Sequence, residues 1–132
     1  MQKIGHIGAM ELEVETLKSK MNVVKTTKKA NMEFFEGTLN GVEVVIVRSG
    51  IGKVNAGICT QILADLFDVT HIINTGIAGS LDVQIDIGDI VVSTDVLQHD
   101  MEVRVFGYPL GDIIQLGTLS FQADERMGTL DT

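Results

Sequence analysis

The sequence predicts an α/β protein on three observations: an apolar β-branched run that breaks into a glycine loop, a helical stretch directly after a first strand, and an Asn-Gly hairpin. The run is T-H-I-I-N-T-G-I-A-G-S, residues 70–80. Thr70, Ile72 and Ile73 are interrupted by no charge, so the segment reads as a strand covered on both faces, as in sheets packed by helices. Gly76, Ala78 and Gly79 then leave little side chain at the tip. Backbone groups there can approach a ligand at the carboxyl end of the strand, where open α/β sheets bind theirs. A plain strand-to-turn exit would also need glycine, so the loop by itself leaves both readings open.

The helical observation starts at the N-terminus. Residues 3–8 form a first strand that turns at Gly8-Ala9 into a helix over residues 10–21. Met10, Val14, Leu17 and Met21 recur at i, i+4, i+7 and i+11 and gather into one stripe. Glu11 and Glu15 project away from it. Glu13 lies about 60° off its centre and is the one acid on this helix aimed at the core margin. It also sits in the first helical turn, where the helix dipole favours an ionised carboxylate. Such a group could orient or deprotonate a water; equally, it could only complement the dipole or pair with a nearby lysine.

From Asn22 the period changes to two. Residues 23–28, 32–39 and 42–48 read as three strands, with Asn40-Gly41 as a type I′ hairpin turn between the last two. This antiparallel piece extends one side of the sheet. Arg48-Ser49-Gly50-Ile51-Gly52-Lys53 resembles a phosphate loop but has Val54 where the Walker pattern needs Ser or Thr, and Asn55 where the dinucleotide pattern needs Gly. Ile51 is the side chain placed to touch something apolar. A helix over about 53–67 follows, with Ile58, Cys59, Ile62, Leu63 and Leu66 as its buried stripe. Residues 81–87 are irregular, and residues 90–100 read as another strand. A loop with Val103, Phe106 and Tyr108 comes next, and exposed aromatics in such a loop mark a partner chain or a ligand. Residues 110–132 show little pattern, and Leu130-Asp131-Thr132 comes without a closing element.

Bulk properties narrow the function. A chain of 132 residues is long enough for one domain that buries roughly two thirds of its unfolded surface. Mean hydropathy is +0.26, yet no run approaches the ~18 apolar residues of a membrane span. The start lacks a secretory pattern, so a cytoplasmic location is expected. The net charge of −8 is uneven: residues 1–53 carry net +2 and residues 54–132 net −10. Nucleic acid is an improbable partner for that surface, because phosphate binding needs clustered Lys and Arg. Cys59 has no disulfide partner and reads as an inert packed thiol. His6, His71 and His99 are scattered without metal-ligand spacing, and His6 interrupts an otherwise aliphatic first strand.

Taken together, G-A-M-E-x-E at residues 8–13, S-G-I-G-K-V at 49–54, I-N-T-G-x-A-G at 73–79, G-D-I-V-V-S at 88–93 and H-D-x-E-V at 99–103, before F-G-Y at 106–108, resemble the bacterial 5′-methylthioadenosine/S-adenosylhomocysteine nucleosidases. The resemblance implies a three-layer α/β/α sandwich with a mixed central sheet. It also implies a cytoplasmic homodimer acting on a small nucleoside, with no metal or cofactor and no nucleic acid or membrane partner. Residues 1–132 would be the N-terminal portion of a single nucleosidase domain. By position, Glu13 matches the acid that activates the attacking water. Met10 and Ile51 would lie near the ribose and the water, and Ile77, Ala78 and Gly79 would line the purine side. Val103, Phe106 and Tyr108 match residues that close the alkylthio pocket of the partner subunit.

The implied reaction hydrolyses the N-glycosidic bond to adenine. It passes through an oxocarbenium-like cation, so it needs a water on one face and a proton for the departing base. The family's purine-protonating Asp and its Met-Glu pair for the ribose hydroxyls belong to a C-terminal half without counterpart here, so the chain alone is expected to be inactive. Two rival readings remain. A phosphorylase of the same superfamily would need a cationic G-D-P-x-R site, where Gly8-Ala9-Met10-Glu11-Leu12-Glu13 stands instead. A non-catalytic nucleoside-binding or dimerisation fragment is the other.

Overall fold

The structure, a computed structural model, describes residues 1–128, in two compact units, Met1–Gly79 and Ser80–Thr132. In the first unit β1 (Lys3–Gly8), α1 (Glu11–Lys20), β2 (Asn22–Lys29), β3 (Met32–Leu39), β4 (Val42–Arg48), α2 (Lys53–Phe67) and β5 (His71–Asn74) follow in order. The strands form one mixed sheet, β2-β3-β4-β1-β5. β1 pairs in parallel with β4 and β5, whereas β2, β3 and β4 pair antiparallel. Asn40 and Gly41 turn the β3–β4 hairpin at φ 50° and 79°, as a type I′ turn requires. Ala30 and Asn31 turn β2 into β3 at φ 48° and 61°, a second turn of this kind that its residues do not advertise.

The period-2 strands deliver side chains to two layers. Val44 and Ile46 of β4 pack with Val14 and Met21 on the α1 side. Val45 and Val47 join Ile7, Phe34, Cys59, Leu63 and Phe67 on the α2 side. β4 is therefore covered on both faces and carries the middle of the three-layer arrangement. Phe34 and Phe67 stack with ring centroids 4.9 Å apart, a geometry that adds to their burial. α2 ends where Asp68 adopts φ 51° and donates its N–H to Leu63 O. Burial also raises the Cys59 thiol pKa to about 11, as an inert thiol requires.

Three expectations need correction. The buried stripe of α2 is narrower than its apolar pattern: Cys59, Leu63 and Phe67 are buried, but Ile58 and Leu66 are 44% and 55% exposed. The sheet presents one seam to the helix, and these two side chains fall outside it. β5 is not covered on both faces, since it is the sheet's edge strand and Ile72 is 38% exposed. Residues 90–94 form no strand, and Ile90, Val91 and Val92 stay exposed. A strand needs a neighbour for its N–H and C=O groups, and only Asp95–Val96 (β6) finds one.

The second unit, taken by itself, is held by short pieces. β6 pairs antiparallel with β7 (Phe121–Gln122), extended by Ala123 N–H donating to Thr94 O at 2.9 Å. A single 3-10 turn at Arg104–Phe106 closes at Gly107, φ 83°, and α3 (Glu125–Gly128) ends the described part. The expectation for Leu130-Asp131-Thr132 lies outside the described residues. No helix among the described residues is long and apolar enough to cross a membrane.

Candidate functional site

The site grows from the junction of β1 with α1. Gly8 ends the strand, and a Cβ on it would stand 2.6 Å from Val14 Cγ1 and 3.0 Å from Glu13 Cβ. Only glycine lets the helix start this close to the strand end. Met10 caps the helix in extended conformation, φ −124° and ψ 157°, which places Glu13 at the third helical position. From there its carboxylate folds back over the start of its own helix. Oε2 accepts the N–H of Ala9 at 2.7 Å and that of Met10 at 3.0 Å, satisfying donors that a helix start leaves unpaired.

The other oxygen reaches across the sheet. Oε1 accepts the N–H of Ile77 at 3.2 Å, so a residue of α1 meets the loop after β5. Gly76 makes this approach possible, because a Cβ there would lie 2.6 Å from Oε1. These bonds hold the Glu13 carboxyl below its ordinary pKa, the Met10 N–H contributing most and the Ile77 N–H next, against a smaller opposing effect of burial. Glu13 is thus an anion at neutral pH. Two carboxylate oxygens offer about four acceptor positions, and three are taken by backbone N–H groups. The position left over is on Oε1, at the glycine loop.

A cavity of about 610 Å³ opens beside this junction, lined by Ala9, Met10, Arg48, Ser49, Gly50 and Ile51 among others. Ala9 and Met10 are the residues whose N–H groups Glu13 holds. Ser49 N–H donates to Gly8 O at 2.9 Å, which ties the end of β4 to the end of β1. Gly50 at φ 85° turns the chain so that Ile51 stands 74% exposed. Asn55 fastens that turn by donating from Nδ2 to Ile51 O at 2.7 Å. The structure therefore joins Glu13 to Met10 and Ile77 by hydrogen bonds, while Met10 and Ile51 line the adjoining cavity. Ala78 and Gly79 continue the loop as exposed residues.

In the second unit, Phe106 and Tyr108 are 70% and 40% exposed, as side chains that meet a partner must be. Val103, by contrast, is 5% exposed. Val103 O accepts the N–H groups of both Phe106 and Tyr108. No group of three or more His, Cys, Asp or Glu suited to a metal is found among the described residues.

Several contributors were not legible beforehand. Asn55 and the hairpin residues Ala30 and Asn31, which also line the cavity, carry no chemical motif. His6 is buried, and its Nε2 lies 2.8 Å from Thr75 Oγ1. Its interruption of an aliphatic strand was the signal available.

Known proteins with this geometry can now be set beside it. The phosphorylase superfamily profile matches residues 3–130. A 5′-methylthioadenosine/S-adenosylhomocysteine nucleosidase of Psychromonas ingrahamii is 46% identical over 125 residues, covering 95% of this chain and 54% of that protein. The crystal structure of such a nucleosidase from Colwellia psychrerythraea, in complex with adenine, matches at TM-score 0.90 and 45% identity over 94% of this chain and 51% of that one. Its counterpart from Neisseria meningitidis, in complex with methylthio-immucillin-A, matches at TM-score 0.92 and 38% identity over 97% and 55%. The chain spans about half the length of the curated relatives it matches. A match over nearly every residue, with strand order and loop geometry to fit, shows that the chain belongs to the phosphorylase superfamily.

Proposed function

We propose that the protein carrying this chain hydrolyses the N-glycosidic bond of 5′-methylthioadenosine and S-adenosylhomocysteine, releasing adenine and the thioribose product. The observation that carries the reading is the Glu13 carboxylate, fixed by three backbone N–H groups with its remaining acceptor position facing the glycine loop. A water hydrogen-bonded there is held against a single oxygen. As the bond to adenine lengthens, positive charge develops on the ribose, the water attacks C1′ and its proton passes to Glu13. The adenine leaves with the bonding electron pair and needs a proton of its own. That proton is assigned to an acid outside these 132 residues, which we take as the N-terminal portion of a single nucleosidase domain, so the chain alone is expected to be inactive. The relatives' nucleosidase names and their complexes with adenine and a methylthio analogue support the substrate class.

The cleft supports the remaining assignments. Met10 and Ile51 are assigned to the surroundings of the ribose and the water, and Ile77 to Gly79 to the purine side. Phe106 and Tyr108 are assigned to the partner subunit's pocket in a cytoplasmic homodimer. A phosphorylase is disfavoured because the residues at the end of β1 are acidic where a phosphate would have to sit.

The test is adenine release by the full-length protein with and without phosphate, for the wild type and Glu13→Gln. Glutamine cannot take the proton, so a loss of about 10²–10⁴-fold is expected with the fold intact by circular dichroism. Phosphate-dependent formation of a sugar phosphate, or full activity of Glu13→Gln, overturns the reading. Mixing the 132-residue chain with the remainder of the protein should restore what the chain lacks alone.

A further inference from the structure

His6 is out of place by packing logic. On β1 it faces the α1 layer, between Ile4 and Gly8, and its register partners are Ile46 and Ile73. It is only 7% exposed, and burial pulls its pKa down, so the ring is neutral. Its Nδ1 has no hydrogen-bond partner among the described residues. An aliphatic side chain would fill this position without a desolvation cost and without an orphaned nitrogen. What the imidazole adds is one bond, from Nε2 to Thr75 Oγ1 at 2.8 Å.

That bond falls at a consequential place. Thr75 is the first residue after β5, and its N–H already donates to Ile7 O at 3.1 Å. The next residue is Gly76, against which Oε1 of Glu13 packs, and the one after is Ile77, whose N–H that oxygen accepts. Thr75 is itself exposed, so burial alone does not fix its side chain. The ring of His6 is what anchors it from inside the sheet.

We propose that His6 is a positioning residue for Glu13: through Thr75 it holds the Gly76-Ile77 backbone at the distance that lets Ile77 donate to the carboxylate and leaves one acceptor position for water. The proposal rests on Glu13 as the base but concerns a contact that is measurable without turnover. Other charges around the site are already engaged. Lys3 of β1 pairs with Glu36, and Lys18 of α1 and Arg48 at the end of β4 both pair with Glu11. The His71 ring of β5 lies 2.9 Å from Thr75's counterpart at the strand start, Thr70 Oγ1.

The experiment is an NMR titration of the full-length protein labelled with 15N on the backbone and 13C on glutamate side chains. It follows the Glu13 carboxyl and the Ile77 amide from neutral to acid pH. His6→Leu and Thr75→Val each remove the link and are expected to raise the Glu13 midpoint and to shift the Ile77 amide away from its hydrogen-bonded position. The double variant should do no more than either alone, because both delete the same bond. His6→Gln places an amide nitrogen near the Nε2 position, and Thr75→Ser keeps the hydroxyl, so both should restore wild-type titration.

In turnover, Thr75→Val is expected to lower kcat about tenfold with little change in KM. A Glu13 midpoint and Ile77 amide unchanged in His6→Leu and Thr75→Val, with only thermal stability lost, would reduce His6 to a packing residue and overturn the proposal. Should His6→Leu fail to fold, Thr75→Val at its exposed position decides alone. Failure of the nucleosidase reading is distinct: it abolishes the turnover result and leaves the titration result standing.

Discussion

The two units of this chain solve the burial problem differently. In Met1–Gly79, α1 and α2 sandwich a five-stranded sheet, and the apolar residues of β4 are used on both faces. In the unit from Ser80, Val103 is the buried hydrophobic residue, while Leu81, Val83, Ile87 and Ile90 are almost fully exposed. Both stretches are rich in Ile, Leu and Val. The difference lies in partners: the first unit contains strands and helices that cover one another, whereas the second has two-residue strands and little to lay against its apolar side chains. Apolar surface on that scale marks a place where something else packs. Glu13, Met10, Ile51 and the glycine loop all sit in the unit that contains both hydrophobic clusters.

This contrast can be broken at several places. The largest effect expected is between the units expressed separately: residues 1–79 should protect β1 and β4 amides from hydrogen exchange, and residues 80–132 should show no comparable protection. Equal protection would mean that coverage within the chain is not what separates them. Next is Phe34→Ala, which empties a fully buried position stacked on Phe67 and should cost about 3–5 kcal/mol in denaturant unfolding. Third is Gly76→Ala. The added methyl would stand 2.6 Å from Glu13 Oε1, so carboxylate or loop must move, and a misplacement of that order lowers activity by up to about 10²-fold with stability little changed. The smallest is Phe106→Ala in the second unit, expected within about 0.5 kcal/mol for stability, because the ring is 70% exposed.

A pH profile sharpens the same comparison. Glu13 has its pKa lowered in the folded protein, so its contribution to stability and its ionised form, the form the proposed reaction uses, are both present above the ordinary carboxylate value. Both are lost as pH falls through the lowered one. Activity of the full-length protein should therefore hold through mildly acidic pH and fall only below 4.5, the value from which Glu13 is depressed. A midpoint above that value would mean that the three backbone bonds are not made in solution. In the second unit Glu102 is held at about 2 by its bonds to Arg104, a local pair that should leave the activity profile unchanged when Glu102→Gln removes it.

Much of the first unit was legible before any coordinates. Met10, Val14, Leu17 and Met21 mark α1 by period alone, and the three strands after it by alternation, because neighbours in sequence decide those contacts. The same logic isolated Glu13 as the acid at the core margin. It failed where the outcome depends on a distant partner. Ile58 and Leu66 have helical spacing but fall outside the seam that the sheet offers. Residues 90–94 have strand composition but no strand beside them. Val103 shares a loop with Phe106 and Tyr108 but is buried where they are exposed.

What the linear chain determined by itself is the identity and order of the elements up to β5 and the position of Glu13 in the first turn of α1, since periodicity, turn residues and helix-start position are local properties. Only the tertiary structure decided that Glu13 would meet Ile77, 64 residues away, and that a histidine inside the sheet would reach Thr75. Those contacts arise from β1 lying between β4 and β5, and the order of strands in a sheet is set by which surfaces bury best together.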